Sequence, residues 1–214
     1  MIKVADLAKQ IIESDELALE SLRAGLLNLS AYAAKIQPQI EKITYKEIKK
    51  GTIVVALSRI ARQELKTPEL KPQVKLTNLT VKSALCSLTF ERTADIERRI
   101  SVLNPFQVAL GDLFSVTEGP TEVTLVCLER AKEKILAHFD TTPKETNSDL
   151  VAITAEISSD DAKKPNVVFT LLQALAAKRI NLIEIISTFT EVSFIIHQKD
   201  LEEGLKALNL YFIK

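Results

Sequence analysis

The feature of this sequence that most constrains its fold is an internal repeat in the second half of the chain. A shift of 69 places aligns LFSVTEGPTEVTLVCLERAKEKIL, residues 113–136, with LIEIISTFTEVSFIIHQKDLEEGL, residues 182–205. The apolar positions stay in phase along the whole alignment. Self-similarity at a fixed spacing indicates two copies of one supersecondary unit. The chain must therefore build two similar modules of about 65 residues rather than one large sheet of unrelated parts.

Each copy shows the same order of elements. Runs with alternating apolar residues predict strands, and runs with apolar residues three or four places apart predict helices between them. The order is strand, helix, strand, strand, helix, and then it begins again. The predicted strands are SALCSLTF, DLFSVTE, EVTLVCL, DLVAITAEI, NLIEIISTF and EVSFIIH. This order predicts an α+β fold with two tandem ferredoxin-like β-α-β-β-α-β modules, which we place at residues 81–142 and 148–214.

The first 66 residues have a different pattern. Apolar residues recur at helical spacing in VADLAKQIIES, ELALESLRAGLLNL, SAYAAKIQPQIEKI and TYKEIKKGTIVVALSRIARQELK. Side chains suited to helix N-caps precede three of these runs: Ser14 or Asp15, Ser30, and Thr44 with Glu47 as a capping box. The prediction is a helical domain over residues 1–66, compatible with a helix-turn-helix, followed by a proline-containing linker over residues 67–80.

The second copy of the repeat resembles a known family. Residues 164–209 contain ALA before INL, then IS, EVSFII and an acidic helix start, DLE. This succession is similar to ACT domains, most of all to the second regulatory ACT domain of aspartokinases. The resemblance implies dimerisation through the modules and an amino-acid effector held at the loop before the first helix and at the following helix-to-strand corner. It places the candidate ligand-binding residues at Pro165, Asn166, Val167, Asn181, Ile183 and Ser187.

One position departs from the family pattern. ACT domains that bind amino acids commonly carry glycine after the proline of the first loop, where the backbone approaches the ligand. This chain has Asn166 there, which can adopt the same backbone angles but brings a side chain. The first module lacks even the proline, with residues 91–95 reading ERTAD. A ligand-free dimerisation scaffold is therefore the alternative to an amino-acid sensor.

Signals for catalysis, metals and cofactors are missing from the sequence. With five glycines in 214 residues, no phosphate-binding or dinucleotide-binding loop can be written, and the kinase signatures of aspartokinases have no counterpart. His138 and His197 have no partner at a metal-ligand spacing, and Cys86 and Cys127 lie in apolar runs typical of buried, reduced thiols. We expect no enzyme activity, no cofactor and no metal.

Charge and hydropathy bear on location and partners. The chain has 28 basic and 28 acidic side chains, and no apolar run approaches the length of a membrane span, so we expect a cytoplasmic protein without membrane contact. Residues 1–66 carry 11 basic and 8 acidic side chains. A basic group near the fourth helix could contact DNA phosphates: Lys46, Lys49, Lys50, Arg59 and Arg62.

Two functional hypotheses follow beside the ligand-free dimerisation scaffold. The first is a non-catalytic regulatory protein, a homodimer through its ACT modules, that senses a small effector, in particular an amino acid. The second is a DNA-binding transcriptional regulator with the same sensing pair.

Overall fold

The computed structural model describes residues 3–63, 70–103 and 111–212. The chain divides into two compact units, Met1–Pro72 and Gln73–Lys214. The predicted linker begins at residues 67–69, which lie outside the described residues. Residues 76–80, predicted to belong to that linker, are instead the first residues of a long strand.

The first unit is helical, as the sequence predicts. Its helices are α1 (Val4–Glu13), α2 (Glu16–Arg23), α3 (Leu29–Thr44) and α4 (Lys50–Ala61). The apolar face of each amphipathic helix contributes to one core, which contains Ile12, Ile36, Ile40, Ile53 and Leu57. Helix α1 packs on α3 and α4, and these two pack on each other.

One of the predicted helix caps is confirmed and two are wrong. The Asp15 side chain accepts a hydrogen bond from the Ala18 backbone N–H (3.2 Å) at the start of α2. Helix α3 starts earlier than predicted, and Asn28 caps it instead of Ser30. Thr44 ends α3, where its Oγ1 donates to the carbonyl oxygen of Ile40 (2.8 Å), so it cannot begin a capping box for α4.

The second unit holds the predicted α+β fold. Its strands are β1 (Leu76–Glu91), β2 (Ser115–Glu118), β3 (Glu122–Leu128), β4 (Glu145–Ile157), β5 (Glu184–Ser187) and β6 (Glu191–His197). Its helices are α5 (Ala94–Ser101), α6 (Lys132–Phe139), α7 (Val167–Ala177) and α8 (Leu201–Asn209). Below, the first half means β1 to α6 and the second half means β4 to α8.

The strands form one antiparallel sheet in the order β2-β3-β1-β4-β6-β5. The long central strands β1 and β4 pair from Leu76↔Ile157 at one end to Thr89↔Glu145 at the other. Each half therefore supplies three neighbouring strands of the sheet, and the two halves meet where β1 pairs with β4. The sheet differs in this respect from two separate four-stranded modules, because β1 and β4 are long enough to serve both halves.

The internal repeat is visible in the structure. The bounds of β2 and β5, and those of β3 and β6, differ by the 69 places of the sequence repeat. Ala84 and Asp149 both have a φ of 57° at a break in the register of β1 with β4. The residues that follow them, Leu85 and Leu150, are paired with each other. The two halves are thus related by an approximate twofold axis near this pair.

Helices cover one sheet face in both halves. Phe194 and Leu171 belong to the core under α7 and α8, and Phe90 stacks on Phe139 (ring centroids 4.6 Å apart) in the core of the first half. Cys86 and Cys127 lie in this second core, free and buried, with their sulfur atoms 3.5 Å apart. Residues that alternate with these along the strands form a smaller core on the opposite face: Leu85, Val126, Leu150, Ala152 and Ile195.

Candidate functional site

The loop between β4 and α7 differs in length from its counterpart in the first half. Residues 158–166 join β4 to α7, whereas only Arg92 and Thr93 join β1 to α5. The longer loop contains a single 3₁₀ turn, Asp161–Lys163.

The Asp161 carboxylate fixes this loop. It accepts hydrogen bonds from Lys164 Nζ (2.6 Å) and from the backbone N–H of Lys75 (3.4 Å), and the Asp161 N–H donates to Ser158 Oγ (3.0 Å). The hydrogen bond from Lys164 holds the pKa of Asp161 below its usual value, with a further contribution from the Lys75 amide, against the opposing effect of burial. The folded loop therefore favours the charged carboxylate.

This pKa shift predicts a pH-dependent stability. Because the folded pKa is depressed, the stabilisation is complete above the unfolded pKa of about 4 and is lost as the pH falls through the folded pKa. We expect Asp161→Asn to lower the melting temperature at pH 7 and to differ less and less from the wild type as the pH falls below 4. Thermal melts of both proteins from pH 7 to pH 3 test this, and a constant difference at every pH would contradict it.

Asn166 begins α7 in a left-handed conformation, with φ 66° and ψ 10°. This is the backbone region that favours glycine, and asparagine is among the side chains that tolerate it best. The backbone at Asn166 is therefore in a conformation that glycine would adopt without strain.

The conformation of Asn166 gives a second prediction. Alanine has no such tolerance, so Asn166→Ala should destabilise the second unit by about 1 kcal/mol, while Asn166→Gly should leave its stability nearly unchanged. Urea denaturation of the two variants beside the wild type measures the difference. Equal losses in both variants would mean that the asparagine side chain, rather than the backbone angle, holds the loop.

A cleft of about 370 Å³ opens where this loop and the start of α7 face the end of β5. It is lined by Ile157, Ala162, Lys164, Asn166, Val167, Val168, Phe169, Ser187, Thr188, Phe189 and Val192. Most of the lining is apolar, and Lys164 is the charged residue among these described side chains. Val168, Phe169 and Phe189 are 40%, 41% and 66% exposed, so apolar surface is open to solvent at the cleft.

The cleft brings together part of the predicted ligand-binding set. Asn166, Val167 and Ser187 line it, and Pro165 lies in the same loop. Asn181 is exposed and lies outside the lining, and the left-handed residue at its corner is Arg179, with φ 58°. Ile183 packs into the core on the other face of the sheet.

Sequence reasoning missed Lys164, Phe169 and Phe189 as cleft residues. Phe169 lies in the first turn of α7, and Phe189 lies in the turn between β5 and β6. The sequence does place an aromatic residue beside each of two segments predicted to hold a ligand. It does not show that these two segments lie close together in the fold.

The candidate DNA-contacting residues are all exposed but lie at two ends of α4. Lys46 and Lys49 precede the helix, Lys50 begins it, Arg59 is in its last turn and Arg62 follows it. Lys50 and Arg59 are nine residues apart, which places them about 14 Å apart along the axis and on opposite sides of the helix. The helix thus divides the basic group instead of presenting it on one face.

The described parts of the chain give no sign of two other kinds of site. Within them no group of three or more His, Cys, Asp or Glu side chains could hold a metal ion. No helix in the described ranges has both the length and the apolar character needed to cross a membrane.

Comparison with known proteins shows the class of fold. The regulatory subunit of aspartate kinase from Thermus thermophilus superposes with a TM-score of 0.53, at 15% identity over 65% of this chain and 99% of its own. The corresponding subunit from Thermus flavus gives 0.53, at 14% identity over 64% and 99%. Aspartate kinase from Clostridium acetobutylicum, an allosteric enzyme, gives 0.53, at 16% identity over 66% of this chain.

The share of each chain that is covered shows which part of an aspartate kinase this fold matches. This chain covers 36% of the Clostridium enzyme but nearly the whole of the Thermus regulatory subunits. The structural neighbours are thus regulatory, ACT-containing parts of aspartate kinases, and the resemblance predicted from the sequence is confirmed at the level of the fold. No protein-family model matches the sequence. No curated protein matches it either.

Proposed function

We propose that this chain is a non-catalytic regulatory protein whose second ACT module binds a small effector, an amino acid, in the cleft between the 158–166 loop and β5. The observation that carries the proposal is the cleft itself, at the loop where the family resemblance expects an effector. Its volume of about 370 Å³ suits one small molecule.

The lining of the cleft indicates the kind of effector. Phe169, Phe189 and Val168 offer apolar contact, and Lys164 offers a cation for a carboxylate. Lys164 Nζ already pairs with Asp161, so an incoming carboxylate would share that cation and act on the hydrogen bonds that fix the loop. An amino acid with an apolar side chain fits this arrangement better than one with a basic side chain.

The sheet edges provide the proposed route to a homodimer. Among the described residues, β2 and β5 are the two edge strands, and each has no neighbouring strand along one side. β5 also exposes Ile185, which is 42% accessible. Pairing of these edges between two chains would place the cleft, at the end of β5, beside the dimer contact. An effector could then favour one dimer geometry, provided that it binds the two geometries with different affinity.

A thermal-shift screen against the twenty amino acids tests the proposal. An amino acid present at 100 times its dissociation constant should stabilise the protein by about 2.7 kcal/mol. A hit should be confined to one or a few apolar amino acids. If none of the twenty shifts the melt, the ACT fold is better explained as a ligand-free dimerisation scaffold.

DNA binding is the second candidate, because five basic side chains around α4 are exposed. Duplex binding that weakens with salt and is lost in a Lys49→Ala, Lys50→Ala, Arg62→Ala variant would favour a transcriptional regulator. The separation of these residues to two ends of α4 makes the effector sensor the better supported function.

A further inference from the structure

The twofold relation between the halves identifies the counterpart of the cleft in the first half. Backbone hydrogen bonds fix the equivalence: Arg92 N–H donates to the Thr121 carbonyl, and Ile157 N–H donates to the Thr190 carbonyl, 2.9 Å in both cases. Thr121 and Thr190 directly precede β3 and β6. Arg92 therefore stands where the second half has Ile157, a residue that lines the cleft.

Two further positions correspond in the same way. Glu118 and Ser187 are the last residues of β2 and β5, paired with Val123 and Val192. The next residues make matching turns, because Gly119 N–H donates to the Glu122 carbonyl and Thr188 N–H to the Glu191 carbonyl. Ser187 and Thr188 both line the cleft. Their counterparts, Glu118 and Gly119, must form the wall of the equivalent space in the first half.

In the first half, the side chain of Arg92 lies against that wall. Its Nε donates to Glu97 Oε1 (2.7 Å), Nη1 donates to the Gly119 carbonyl (2.8 Å), and Nη2 is 3.3 Å from Glu118 Oε2. The guanidinium thus joins the start of α5 to the end of β2. In the second half an apolar Ile157 and the uncharged Ser187 and Thr188 occupy the matching positions, and the space between the elements is open.

We propose that Arg92 is a built-in ligand that closes the first half's counterpart of the cleft, and that this position is a guanidinium-binding site which the chain fills with its own side chain. Two carboxylates and one carbonyl oxygen, each on a different guanidinium nitrogen, match the planar arrangement of its donors. The inference deepens the proposed function: the effector enters the second half alone, with one site per chain, while the first half is permanently occupied.

Chemical rescue tests this inference. Arg92→Ala removes the part of the side chain that ethylguanidinium can replace. The variant should melt about 4 °C below the wild type because three charge-assisted contacts are lost. Ethylguanidinium at 50 mM, bound with a dissociation constant of about 10 mM, should then raise its melting temperature by about 3 °C. The wild type should gain nothing from the same addition.

Two controls separate rescue from general effects of salt or charge. Ethylammonium chloride at 50 mM has the same charge without the planar donors and should not rescue Arg92→Ala. Arg98→Ala removes an arginine of α5 that is 74% exposed and that pairs, within the described residues, with Asp95 in the preceding turn, and ethylguanidinium should leave this variant unchanged. Equal shifts in Arg92→Ala, Arg98→Ala and wild type would overturn the proposal.

A measurement on the wild type covers the case in which Arg92→Ala does not fold. Arginine modification by p-hydroxyphenylglyoxal, followed by peptide mass spectrometry, should proceed several-fold more slowly at Arg92 than at Arg98. Equal rates would overturn the built-in ligand. Failure of this inference is distinguishable from failure of the proposed function, because the amino-acid screen reports on the second half and the rescue reports on the first.

Discussion

Replacing Gly204 with leucine is expected to lower the free energy of unfolding by about 3 kcal/mol and the melting temperature by about 9 °C. Gly204 lies in α8, where the helix packs on the sheet. A Cβ atom at this position would lie 2.8 Å from Ile153 Cδ1 and 3.2 Å from Ile196 Cδ1. Leucine adds three more carbon atoms beyond that Cβ, so the helix must move off the sheet or the isoleucines must leave their positions.

Two matched variants test whether steric overlap at position 204 causes the destabilisation. Gly204→Ala should be nearly neutral, because its Cβ meets the flexible end of Ile153 and because alanine favours the helix by about 1 kcal/mol over glycine. Gly51→Leu in α4 should not destabilise, since nothing lies within 4 Å of a Cβ there. Urea unfolding of the three variants tests the ordering. A Gly204→Leu protein as stable as the wild type would show that α8 is not held closely on β4 and β6.

Replacing Ser187 with tryptophan is expected to abolish binding of the effector, with at least a hundred-fold loss of affinity. Ser187 is exposed at the end of the edge strand β5 and lines the cleft, so the protein has room for the indole and the indole occupies the space of the ligand. An interaction worth about 2.7 kcal/mol corresponds to a hundred-fold change in affinity, and loss of the apolar contacts of a small ligand reaches this size. The variant should fold normally.

The measurement is the thermal shift given by whichever amino acid stabilises the wild type, repeated as a calorimetric titration. Val81→Trp is the matched control, because Val81 is similarly exposed on β1, away from the edge strands, and lies outside the cleft lining. The control should keep the full shift. If Ser187→Trp keeps it as well, the effector binds elsewhere and the cleft between α7 and β5 is not the site.

Two strands, one in each half, could be predicted from the sequence. The run EVTLVCL was predicted as a strand and is β3, and EVSFIIH was predicted and is β6. Alternation of apolar side chains suffices for such assignments because both strands have one face under the helices. The start of β1 at Leu76 was missed, because residues 76–80 alternate weakly and follow two prolines.

The candidate site was predicted only where the family resemblance marks it. Asn166 was placed in this way, and it has a left-handed conformation that few residues tolerate. Ser187 was reached through the family resemblance. Phe189 and Lys164 were not predicted, since their role depends on the distance between a loop and a strand end that the chain brings together only after folding.

The sequence alone determined the local elements and their repetition. Helical and alternating periods are properties of neighbouring residues, and the 69-residue repeat is a property of two segments compared directly. Tertiary structure alone decided that β1 and β4 join the halves into one sheet, because strand pairing depends on partners far apart in the chain. It also brought Arg92 and Ile157 to equivalent positions in that sheet. The guanidinium of Arg92 contacts Glu97, Glu118 and Gly119, whereas Ile157 lines a cleft, because a charged and an apolar side chain meet different partners at the two positions.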